Sequence, residues 1–131
     1  MNEAIKPIDL SAEFYTTEDC YILELSNTPA DPDVSIARAR VAPGVTTRRH
    51  QLVGTTERYV ILEGRGRVEV GRLPPQDVGS GDVVLIPPSC PQRITNLGPG
   101  DLIFLAICTP RFLPAVYEAI DSPPSPPESD T

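Results

Sequence analysis

A chain of 131 residues is long enough to enclose one hydrophobic core without disulfide or metal staples. Its formal net charge of −7 argues against a sequence-independent nucleic-acid binder, which needs a basic stripe, and against attraction to anionic membrane surfaces. No apolar run approaches the roughly 20 residues that cross a bilayer, no basic segment leads into an apolar stretch at the start, and three cysteines without CxxC spacing (Cys20, Cys90, Cys108) suit thiols in the cytoplasm.

Residues 1–33 read as an N-terminal lead-in with one strand, CYILELS, ending at the turn-rich NTPADPD. VSIARARVA then alternates between two faces until Pro43 and Gly44 turn the chain. TTRRHQL and TERYVILEG follow as strands, and RGRVEVG returns as the second arm of a hairpin through Gly64 and Gly66. GRLPPQDVGSGD is a loop, because its prolines and glycines cannot continue a ladder. VVLIP, QRITN and LIFLAIC complete the strands, and short strands at this spacing predict a sandwich or barrel over 34–108. In residues 109–121, Val116 and Ile120 share an i,i+4 face behind Pro114, which predicts one short C-terminal helix packed outside the barrel. Residues 122–131 are rich in Pro, Ser and acids with nothing to bury, so they predict a disordered tail.

Chemistry concentrates in GVTTRRHQLVGTTERYVILEG. His50 is the only histidine of the chain. Alternation puts Thr46, Arg48, His50 and Leu52 on one face of a strand, and Glu57, Tyr59 and Ile61 on one face of the next. If both faces look into one barrel, an imidazole and a carboxylate converge among aliphatic walls as a metal or acid/base site. On that geometry Tyr59 reaches the cavity as a donor or proton relay beside Glu57, and Arg48 holds a substrate carboxylate bidentately.

The same stretch resembles the first motif of the cupin superfamily, in which Gly44, His50, Glu57 and Gly64 fall in register and Leu52 stands at the second histidine position. GDVVLIPPSCPQRITN resembles the second motif through Gly81, Pro87 and Asn96, with Ser89 in place of a glycine and Gln92 in place of a histidine. The resemblance implies an all-β fold, the cupin double-stranded β-helix or jelly-roll-like barrel, as a small single-domain protein that pairs into a homodimer. It also implies one divalent transition metal (Fe, Mn or Zn) on His50, Glu57 and Gln92, in a degenerate site where Leu52 cannot ligate. The competing reading of these residues is an empty, hydrogen-bonded polar cluster, in which burial pushes Glu57 toward its neutral form.

Two functions follow. One is a small metal-dependent enzyme of the oxygenase, isomerase, decarboxylase or lyase type acting on a small, anionic organic molecule. The other is a non-catalytic module that binds a small molecule in the barrel after losing its metal.

Overall fold

The computed structural model describes residues 1–120, and the expected tail at 122–131 lies outside them. Eleven strands run in chain order: β1 (Phe14–Tyr15), β2 (Tyr21–Ser26), β3 (Ser35–Val41), β4 (His50–Leu52), β5 (Thr56–Glu63), β6 (Arg65–Val70), β7 (Gln76–Gly79), β8 (Val83–Ile86), β9 (Gln92–Asn96), β10 (Leu102–Thr109) and β11 (Tyr117–Ala119). They form two antiparallel sheets, one ordered β1-β2-β3-β10-β5-β8 and the other β11-β4-β9-β6-β7. The fold is the all-β double-stranded β-helix expected from the motifs.

Alternation decides which face of each strand turns inward. On β3 Ala39 and Val41 are buried, while Arg38 and Arg40 point out to share the carboxylate of Glu13. Phe104 on β10 pairs with the small Ala39 on one side and the large Ile61 on the other. Val41, Ile94 and Leu102 are wholly removed from water. This apolar plug fills one end of the barrel, and the polar residues gather at the other.

The motif residues Gly64 and Asn96 have structural jobs at the plugged end. Gly64 turns β5 into β6 at φ +86°, and a Cβ there would stand 2.7 Å from the Asp101 carbonyl oxygen. The Asn96 amide donates to the Val41 and Gly100 carbonyls at 2.8 Å each, and its oxygen accepts from the Gly98 N–H. One side chain thereby ties the turn after β9 to the buried end of β3.

Two expectations are corrected. The C-terminal helix is a 3-10 turn at Pro114–Val116 followed by β11, which pairs with β4 through Tyr117 and Leu52, Glu118 and Gln51, and Ala119 and His50. A free β4 edge offers this segment more backbone hydrogen bonds than one isolated helical turn, and Val, Tyr and Ile suit a strand. The lead-in holds two strands rather than one, because Phe14–Tyr15 forms a short arm on β2.

Replacing Asn96 with alanine would strip buried carbonyls of their donor. Urea unfolding of Asn96→Ala is expected to show a loss of roughly 1–3 kcal/mol with an unchanged denaturant slope.

Candidate functional site

The polar end is built where four strands bring their inward residues to one level. Glu57 on β5 lies directly across from Cys108 on β10, and His50 on β4 across from Gln92 on β9. Gln92 links the two sheets: its Nε2 donates to Glu57 Oε1 at 2.7 Å, and its Oε1 accepts from the Tyr59 hydroxyl. The Cys108 thiol faces the other Glu57 oxygen at 3.9 Å. All four of these side chains, and His50, are buried.

His50 is held from two sides. Its Nδ1 lies 2.9 Å from the Arg48 carbonyl oxygen, which only accepts, so Nδ1 carries the hydrogen. Its Nε2 then faces Glu18 Oε2 at 3.4 Å, and the ring stacks on Tyr117 with centroids 5.1 Å apart. Glu18 comes from the turn between β1 and β2, which the Arg48 N–H fixes by donating to the Glu18 carbonyl.

Between these groups and the mouth lies a cavity of about 280 Å³, whose walls include Glu57, Glu18, Glu24, Cys108, Phe112 and Tyr117. Burial pushes the Glu57 carboxyl up to about 7, against the pull of His50 and the Gln92 hydrogen bond, and with a further push from Glu18. Burial also raises Glu18, opposed by His50. The Cys108 thiol is pushed up to about 12 by burial and by the charge of Glu57, so it is not a thiolate near neutrality. Burial likewise lifts Tyr59 well above the ordinary phenol value.

Of the residues singled out from sequence, Glu57 alone lines the cavity. Tyr59, Gln92 and His50 stand behind the wall, so Tyr59 acts on the site through Gln92 rather than on a ligand. The placing of Arg48 beside His50 on an inward face is corrected. Regular pairing in this stretch begins only at His50, Thr47 is the buried residue, and Arg48 is exposed and off the cavity wall. Thr47 takes the inward position because its hydroxyl and N–H both bond to Ile94 backbone atoms. The anionic ligand that rested on Arg48 loses its support, since the wall carries carboxylates and no Lys or Arg. Glu18, Tyr117 and Phe112 were missed. Cys108 was within reach, because alternation along β10 puts it in line with Phe104 and Ala106.

Residues 37–108 match the family model of the cupin domain, Cupin_2, and the chain belongs to that family. An uncharacterized protein of Methanocaldococcus jannaschii is 36% identical over 78 residues, covering 60% of this chain and 62% of that protein. This chain thus matches less than two thirds of that relative's length. Among solved structures, a predicted oxalate decarboxylase from Thermotoga maritima is 24% identical with TM-score 0.66, over 74% of this chain and 89% of that one. Streptomyces PAC13, a nucleoside dehydratase solved with uridine, is 13% identical with TM-score 0.72, over 92% of each chain. At these identities the likeness establishes the fold.

Cupins often bind a transition metal, and the donors here do not fit one. Leu52 has no donor atom; the Gln92 oxygen is engaged by Tyr59, and what Gln92 turns toward Glu57 is an N–H, which cannot ligate. Among the described residues no three His, Cys, Asp or Glu side chains are arranged to hold an ion. The amide that replaces the usual histidine serves instead as a clamp for the carboxyl.

The raised Glu57 has a consequence for stability. The folded state binds its proton more tightly than the unfolded chain, so stability is full below the unfolded value, falls as pH climbs through about 7, and then levels off. Glu57→Gln removes that loss, of the order of 3 kcal/mol at most. Thermal melts are expected to show the variant gaining on the wild type between about pH 5 and about pH 8, with a shallower residual slope from Glu18.

Proposed function

We propose that this cupin is a proton-transfer enzyme of the lyase or isomerase type, in which Glu57 is the acid/base group and no metal takes part. The observation that carries the reading is Glu57 itself, a buried carboxyl on the cavity wall that is clamped by Gln92 and pushed up to about 7 by burial. As carboxylate it takes a proton from a substrate carbon while a neighbouring hydroxyl or alkoxyl group departs. The departing group receives that proton and leaves as water or alcohol, and Glu57 is restored. In the isomerase version the proton returns to a different atom of the same molecule. Gln92 holds the carboxyl in place and Tyr59 fixes the amide of Gln92, so both are positioning residues. Cys108 and the aromatic walls keep water from competing.

Carbon-13 NMR of labelled glutamate tests the assignment. One buried resonance is expected to titrate near 7, vanish in Glu57→Gln and stay unchanged on adding chelator, with metal content below about a tenth of an equivalent. A full equivalent of metal that is lost in both His50→Ala and Glu57→Gln would restore the metal-dependent reading. A Glu57 resonance titrating at the ordinary carboxylate position would leave a plain binding module.

The chain is further expected to work as a homodimer. Strand β8 is an open edge of the six-stranded sheet, and its outward residues Val83 and Leu85 are 56% and 68% exposed. Antiparallel pairing of this edge with a second copy covers both the unpaired backbone and the apolar side chains. Light scattering should give twice the chain mass for the wild type and a single chain for Leu85→Glu. The three free thiols, two of them buried, suit a reducing cytoplasm.

A further inference from the structure

Among the described residues, the cavity wall holds three carboxylates, Glu57, Glu18 and Glu24, and no cationic side chain. They are spread from inside to outside: Glu57 is buried, Glu18 half-buried, and Glu24 exposed at the rim. Phe14, Phe112 and Tyr117 add aromatic surface to the same wall. A separate observation concerns Tyr117, a half-buried residue whose hydroxyl is shielded from solvent and has no hydrogen-bond partner among the described residues. Buried polar atoms of this kind are rare and are normally satisfied by water or ligand.

We infer that the ligand this cavity selects is a small organic cation, an amine or a quaternary ammonium compound. The inference rests on the reading of the same cavity as the reaction chamber, and it names the class of molecule admitted. The buried Glu57 and half-buried Glu18 carboxylates repel one another, and a cation between them offsets a cost that a neutral ligand leaves in place. Aromatic faces carry the negative end of their quadrupole and attract the same charge, most of all where water is excluded. A ligand N–H or hydroxyl, such as the hydroxyl of choline, also gives the Tyr117 oxygen a hydrogen-bond partner. A volume of about 280 Å³ lies at the small end of ligand sites and limits the molecule accordingly. The net charge of −7 draws cations toward the protein from a distance and repels anions.

Calorimetry on the full chain separates charge from shape. Choline and its uncharged carbon isostere, 3,3-dimethylbutan-1-ol, would be compared at low salt and at a pH above the Glu57 midpoint, with ribose as a neutral polyol. Choline is expected to bind roughly tenfold or more tightly than the isostere. Glu24→Gln, a change at the exposed rim that spares the fold, should weaken choline several-fold and leave the isostere unchanged. Equal affinity for choline and the isostere overturns the inference, as does binding of ribose in preference to choline. So does the absence of binding by choline, ethanolamine and putrescine at millimolar concentration. Binding does not pass through turnover, so such a failure leaves the Glu57 titration standing. Conversely, Glu57→Gln abolishes the proposed chemistry while Glu18 and Glu24 retain part of the cation's affinity.

Discussion

A carboxyl group taken out of water with no Lys or Arg bonded to it is an unstable object, and this protein is arranged around one. Glu57 is removed from solvent by both sheets, and what supports it is the pull of the His50 imidazole together with a neutral N–H from Gln92. An arginine or lysine in that position would lock the carboxylate in its charged form far below neutrality. An amide does less. It orients the group and lowers the burial penalty only in part, which leaves the proton free to come and go near pH 7. The Tyr59 hydroxyl then prevents the amide from rotating, so the orientation of the carboxyl is set two side chains back from the cavity.

The rest of the site is contributed from outside the barrel proper. The β1–β2 turn carries Glu18 inward, and β11 brings Tyr117 over the His50 ring. Neither segment belongs to the two cupin motifs. A barrel built from residues 37–108 alone, the part that matches the family, would keep Ala37, Ala106 and Cys108 beside Glu57 but lack Phe14, Glu18, Phe112 and Tyr117. The chain ends supply the features that distinguish this cavity from the generic one: acids at its mouth, aromatic faces, and an enclosed volume.

How much of this could be read from sequence depended on whether a residue's job was local. Asn96 was legible through the motif it completes, Gly64 through its motif and the turn it makes, and the inward face of β5 because burial on one side imposes alternation. Alternation failed at Thr47, where hydrogen bonds to Ile94 outweighed continuity with the strand and turned Arg48 outward. The helix failed for a related reason. Val116 and Ile120 satisfy a helical spacing, but the empty edge of β4 that captured the segment is a property of the folded sheet and leaves no trace in the local pattern. Glu18 meets His50 only in three dimensions, and an acid in a turn looks like any other. Gln92 was marked as a candidate ligand by its position; that its two ends were already committed to Tyr59 and Glu57 is visible only in the structure.

The pairing of β11 with β4 also sets an order in time. Leu52 and His50 find their partners Tyr117 and Ala119 across nearly half the chain, so this wall is completed only after synthesis has passed Ala119. Until then Tyr117 does not cover the imidazole, and the wall that Tyr117 shares with Glu57 is incomplete. A hydrated glutamate is an ordinary carboxylate. The upward push on Glu57 is therefore a property of the folded barrel, one that the growing chain acquires late.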